Sequence, residues 1–162
     1  MCIRDRPWAE SLDTSLYTGD AYAQPLPLTE PEWCNDLGRQ YFGPVVCVVD
    51  PNTYSSGDLF AAGFVDNRLG PLVCVGEATG AGGANVWTHV DLREALADTP
   101  FELEALPEGV KYTVAIRRAV RSGASDGVPI EDIGVSGIPY VMTRDDLLKD
   151  NKDLIAFCAL QL

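Results

Sequence analysis

Residues 45–66 read VVCVVDPNTYSSGDLFAAGFVD: an apolar run, a short polar turn and an alanine-rich stretch. Val45, Val46, Cys47, Val48 and Val49 form a continuous, mostly β-branched run, the pattern of a strand buried on both faces. Residues 50–54 supply the turn. From position 55 to 67, Leu59, Phe60, Ala62, Gly63 and Phe64 suit a buried helix, and Ser55 with Asp58 makes a Ser-x-x-Asp capping signal at its start. Residues 71–76, Pro-Leu-Val-Cys-Val-Gly, predict a second buried strand. Strand, helix and strand with short joints indicate a parallel βαβ unit, normally right-handed.

Outward from this unit the pattern thins. A glycine loop, Thr79-Gly80-Ala81-Gly82-Gly83-Ala84, follows the second strand. A short helix is expected over 91–98, with Thr88 and Asp91 offering a cap. Strands are expected over 112–120 and 130–135, and Thr143 caps a last helix carrying Leu147, Leu148, Leu154, Ile155 and Phe157. Residues 1–43 are rich in Pro, Gly and acidic residues without a sustained period, so an irregular segment is expected there. Its opening Met-Cys-Ile-Arg-Asp-Arg lacks the apolar core of a signal peptide and reads as a truncation or sequencing artefact. The fold class expected is α/β, with an irregular segment over 1–43 and the main domain over 44–162.

Composition narrows the function. At 162 residues the chain fits one domain with a real core, and 46% hydrophobic against 22% charged residues argues against disorder. A net charge of −12, with 24 acidic and 12 basic residues, opposes binding to nucleic acid or an anionic membrane. Arg117, Arg118 and Arg121 are the only clustered cations, in an alternating segment where ion pairing is the simplest role. The five cysteines (Cys2, Cys34, Cys47, Cys74, Cys158) show no paired spacing, and Cys47 and Cys74 lie in apolar runs as small hydrophobes. With one histidine and no CxxC, a zinc site is not expected. No apolar run reaches the ~18 residues of a membrane helix. The glycines do not match a dinucleotide loop, since Asn85 stands where GxGxxG needs glycine, and no Gly-Lys-Ser/Thr is present. They are expected to let backbone approach a substrate or nucleophile closely.

A serine at the first turn of a helix sits among unpaired backbone N–H groups and the positive end of the helix dipole. Those donors can hold the oxyanion formed when a hydroxyl attacks an acyl carbon, with the Ser56 N–H as the natural candidate. By spacing alone, Ser55 reads first as an ordinary N-cap.

Residues 45–66 resemble the catalytic core of tail-specific, or C-terminal processing, serine peptidases. The stretch GPLVCVGEATGAGG (70–83) is similar to that family's next strand and glycine loop, and VPIEDIGVSG (128–137) resembles its Glu-x-x-Gly-Val element. The three pieces stand in the family's order. The resemblance implies a crotonase/ClpP-like core and, in this chain, the C-terminal part of a catalytic domain. It implies Ser55 as nucleophile (Ser56 being the neighbouring alternative) and hydrolysis of a polypeptide through an acyl-enzyme. No cofactor or metal is implied, and a homo-oligomer is compatible.

Three departures qualify this. Ser–Lys members carry a lysine matching Gly82, and Lys111, Lys149 and Lys152 all lie elsewhere. The tricorn-like branch uses Ser with His and Glu; its Glu matches Glu131, but its His lies upstream of the nucleophile, whereas His89 lies downstream. The upstream glycine element that gives a second oxyanion donor is not visible. The alternative is therefore an inactive peptide- or ligand-binding module on the same fold, as in retinoid-binding relatives, or a domain serving assembly. His89, which closes the glycine loop, and Asp66 stand as further candidates. Asp66 lies eleven positions after Ser55, about 16 Å along a helix and beyond hydrogen-bond reach, so a structural or loop-anchoring role fits it better. Family members often work outside the cytoplasm, while unpaired cysteines point the other way, so no compartment is assigned.

Overall fold

The computed structural model describes residues 6–27, 29, 31–34 and 37–162. Cys2 and the rest of residues 1–5, with the expectation attached to them, lie outside the described residues. The chain forms two compact units, 1–43 and 44–162.

The first unit holds α1 (Arg6–Thr18) and a single turn, α2 (Pro31–Cys34). A 13-residue helix, Arg6–Thr18, forms within the segment expected to be irregular, while residues 19–27 and 37–43 carry no helix or strand. Trp8, Leu12 and Leu16 stand at i, i+4 and i+8, a short apolar stripe, yet Leu12, Leu16 and Tyr17 are exposed and only Ser11 is buried. Local bonds hold it instead. Arg6 pairs with Glu10 one turn on, at 2.9 Å, and the Ser11 hydroxyl donates to the Gln24 carbonyl at 3.1 Å.

The second unit opens with β1 (Cys47–Val49), α3 (Ser56–Asp66) and β2 (Leu72–Val75). It continues with β3 (Ala84–Thr88), α4 (His89–Leu96), β4 (Thr113–Arg118), β5 (Ile138–Tyr140), α5 (Arg144–Leu148) and α6 (Lys152–Ala159). The sheet order is β1-β2-β5, all parallel, with Val48 opposite Val73 and Cys74 opposite Pro139. The α/β class and parallel βαβ unit read from 45–76 are thus the ones present. Alternation along the strands sorts the core into two layers. Val49, Leu72 and Cys74 pack with Ala61 and Ala62 of α3 and with Ile130 and Val135. Val73 points the other way, to Tyr140, Leu154 and Cys158. No helix among the described residues is long and apolar enough to cross a membrane.

Several local expectations need correction. β2 is buried on both faces, but β1 is not: it stands at the sheet edge and leaves Val48 exposed. Likewise α3 buries one face only, Asp58, Ala61, Ala62 and Phe64, while Leu59 and Phe60 face out. Residues 130–135 are not a strand. The Gly134 N–H donates to the Ile130 carbonyl at 2.8 Å, and Asp132 and Gly134 both have positive φ, so the segment is a tight turn with Ile130 and Val135 buried. β3 and β5 were not anticipated. β3 pairs antiparallel with β4 across an irregularity at Asn85/Val86. The last helix is two, broken where Asp150 and Asn151 adopt the left-handed conformation. The expected caps are in place: Thr88–Asp91 and Thr143–Asp146 both form reciprocal capping boxes.

Candidate active site

The turn after β1 is built around Asp50, whose carboxylate accepts from the N–H groups of Asn52 (2.9 Å) and Thr53 (3.1 Å). Hydrogen bonding from Asn52, followed by the smaller contributions of Thr53, holds the Asp50 carboxyl below its ordinary range. The chain then enters α3 through Ser55, at φ 57 and ψ −110. A residue bearing a Cβ rarely adopts this conformation, which costs of order 1–3 kcal/mol. The Ser55 carbonyl accepts the Leu59 N–H at 3.1 Å, opening the helix. Its side chain makes no capping bond, however, so the capping reading of Ser55 and Asp58 is not what the structure forms. Strain at a serine between strand and helix is the geometry that lifts a hydroxyl clear of the backbone in nucleophile turns. The Ser56 N–H follows in the first turn, where an α-helix leaves its donors without intrahelical partners.

Asp58 lies on the inner face of α3, fully buried. It accepts from the Thr79 hydroxyl, from Ala81 N–H at 3.0 Å and from Gly82 N–H at 2.9 Å. Thr79 is fixed in turn, its hydroxyl accepting the Val135 N–H at 2.8 Å. The Gly80 N–H donates to the Thr53 carbonyl at 2.8 Å, two residues before Ser55, and the Thr79 N–H to the Val135 carbonyl at 3.1 Å. Gly83 N–H completes the series on Glu131 Oε2 at 2.6 Å. Five consecutive loop N–H groups, 79 to 83, thus each have an intramolecular acceptor. A loop so committed presents no donors to a phosphate or an oxyanion; it is a brace against the turn and helix that carry Ser55. Its glycines permit the approach, since a Cβ on Gly82 would lie 2.5 Å from the Tyr54 ring and one on Gly83 2.5 Å from the Glu131 backbone nitrogen.

The other predicted residues fall in three places. Glu131 joins the brace through one oxygen; the other has no partner among the described residues. Asp66, at the end of α3, is gripped by both donors of Arg121 at 3.0 and 2.7 Å, with side-chain exposures of only 6% and 11%. Arg121 is the main cause holding the Asp66 carboxyl below its ordinary range. His89 does not close the glycine loop. β3 intervenes, five residues or about 17 Å of strand, and the imidazole packs on Tyr112 instead. Asp58 was missed as a site residue. The signal was there: Asp58, Ala61, Ala62 and Val65 follow the i, i+3, i+4, i+7 rule, which places the acid on the buried face of an amphipathic helix.

Beside the turn, Val48, Val49, Asp50, Thr53, Val75, Met142, Asn151 and Leu154 line a cleft of about 470 Å³ at the carboxyl ends of β1 and β2. Ligands of open α/β sheets bind at this end of the strands.

The profile of Peptidase family S41 matches residues 10–123. That stretch includes β1, the Ser55 turn, α3, β2 and the glycine loop; Glu131 lies beyond it. A solved structure, mature CPAF complexed with lactacystin, superposes with a TM-score of 0.50 at 21% identity, over 82% of this chain and 23% of that one. The likeness is one of fold, and the present chain spans under a quarter of that protein. No curated protein matches. With the match covering well over half of its length, the chain belongs to Peptidase family S41.

Proposed function

We propose that the chain carries the nucleophile of a serine-type peptidase of the tail-specific processing kind. The observation that carries this reading is the backbone of Ser55, strained at φ 57 and ψ −110 with its side chain released from capping. Ser55 Oγ attacks a peptide carbonyl, losing its proton to a base as the C–O bond forms. The tetrahedral oxyanion takes the Ser56 N–H, the amine leaves with a proton returned by the base, and water then hydrolyses the acyl-enzyme. Glu131, held by Gly83 with one oxygen free, orients the base, which in this reading is a histidine upstream of the nucleophile. A lysine base at position 82 is disfavoured, because the Tyr54 ring stands where a side chain would begin. The cleft beside Thr53 is suited to an apolar substrate side chain.

Fluorophosphonate labelling of the full-length protein tests this directly. Labelling of the wild type that disappears in Ser55→Ala is expected. A full-length protein that resists the reagent would leave the alternative, a ligand-binding module on the same fold, as the better account.

A further inference from the structure

Asp66 and Arg121 meet at the end of α3 farthest from Ser55. Arg121 Nε and Nη2 donate to the two Asp66 oxygens at 3.0 and 2.7 Å, across 55 positions of sequence, and both side chains are nearly buried. Two parallel bonds between planar groups fix an angle as well as a distance. Gly123, at φ 69, brings the following turn over the same helix end, where a Cβ would lie 3.5 Å from the Asp66 carbonyl oxygen. A buried ion pair is a weak source of net stability, because desolvation offsets the attraction. This one supplies an attachment point.

From Arg121 a run of backbone bonds leads to Glu131. Residues 119–121 lie antiparallel to 128–130, bridged at Val120 and Pro129. The Arg121 N–H donates to the Val128 carbonyl at 2.8 Å, and the Ile130 N–H to the Ala119 carbonyl at 3.1 Å. The Ala119 N–H then donates to the Gly83 carbonyl at 2.7 Å, and the Gly83 N–H returns to Glu131 Oε2 at 2.6 Å. The segment 119–130 thus delivers the Glu131 carboxylate, and the ion pair ties that segment to α3. Asp58 ties the opposite end of the same helix to Ala81 and Gly82. Ser55 opens the helix.

We propose that Asp66 and Arg121 are a positioning pair that sets where Glu131 stands relative to Ser55. The pair touches no substrate and acts through Ala119, Ile130 and Gly83 on the Glu131 carboxylate. The placement concerns this chain alone; its effect on reactivity rests on the reading of Ser55 as nucleophile and Glu131 as the group that orients the base.

Two readouts on the full-length protein test this, using Asp66→Asn and the milder Arg121→Lys, which keeps the charge and loses the fork. In amide hydrogen exchange, Gly83 and Ile130 are expected to exchange about tenfold faster in Asp66→Asn, with Ala81 and Gly82 as in the wild type. Fluorophosphonate labelling of Ser55 is expected to slow about tenfold in Asp66→Asn, less in Arg121→Lys, and no further when Asp66→Asn is added to Glu131→Gln. Unaltered exchange at Gly83, equal loosening at Gly82 and Gly83, or the same slowing with and without Glu131 would each overturn the proposal. Loosening confined to Gly83 and Ile130 in a protein that never labels at Ser55 supports the placement and overturns the reading of Ser55 instead.

Discussion

Asp58 in the first turn of α3 accepts the backbone N–H of Gly82 at 2.9 Å, joining the helix that starts beside Ser55 to the loop that follows β2. Asp58→Ala strands three buried donors and is expected to cost about 3 kcal/mol or more. Asp58→Asn keeps the shape and one acceptor, and costs less. Urea unfolding gives the energies, and amide exchange locates them: protection at Ala81 and Gly82 falls before protection in β2 does. Loss spread evenly over the unit would mean that Asp58 is not a local clamp.

Two glycines separate steric need from helix propensity. A Cβ on Gly83 meets the Glu131 nitrogen at 2.5 Å and the Ile130 Cβ at 2.8 Å, so Gly83→Ala forces backbone apart and is expected to destabilise by about 2 kcal/mol. Gly63, inside α3, has nothing within 4 Å of that position. Gly63→Ala is expected to stabilise by about 0.5–1 kcal/mol. Thermal unfolding of the pair checks both signs.

Ser55 offers a test of stored strain. Glycine has no Cβ penalty at φ 57, so Ser55→Gly relieves what Ser55→Ala retains. Ser55→Gly is expected to be more stable than Ser55→Ala by about 1 kcal/mol even though glycine also loosens the unfolded chain. Equal stabilities would mean that the turn is relaxed.

A second carboxylate governs acid stability. Burial alone would raise the Asp146 carboxyl, but the Tyr140 hydroxyl at 2.6 Å and the N–H groups of Thr143 and Leu154 outweigh it and hold it at about 2, below the ordinary 3.8. The folded state therefore favours the ionised form. The contribution is fully present above about pH 4 and is lost as pH falls toward 2. Asp146→Asn is expected to be less stable at neutral pH and to show a shallower decline across that window, measured by urea unfolding at several pH values. The Tyr140 phenol, pushed up to about 12 by burial and then by Asp146, works in the opposite sense: its share persists below pH 10 and fades as pH approaches 12.

The parts of this fold that were legible in the sequence are those with local causes. The apolar run before Ser55, the run at 72–75 and the Thr88–Asp91 box announce themselves by composition and spacing. Glycine density between 79 and 84 announces close approach, but what approaches is the Tyr54 ring and the Glu131 backbone rather than the substrate or nucleophile expected. What was not legible depends on contacts distant in sequence. Asp58 looks like a cap partner until Thr79 and Gly82 are folded onto it, 21 and 24 positions away. Ile130, Ile133 and Val135 make residues 130–135 look like a short strand, yet Asp132 at φ 66 and Gly134 at φ 68 curl them into a turn so that Glu131 can reach Gly83. Helix α1 carries only three helically spaced apolar residues, Trp8, Leu12 and Leu16, in a segment otherwise rich in Pro, Gly and acidic residues, and buries only Ser11.

The central claim, that Ser55 is the nucleophile, is tested most directly by locating the adduct. The full-length protein is treated with a fluorophosphonate, digested and mapped by mass spectrometry. The expected result is one modified residue, Ser55, absent in Ser55→Ala and slowed in Asp58→Asn, whose loosened brace no longer holds the turn. An adduct on Ser56 or elsewhere, or labelling that persists in Ser55→Ala, would contradict it.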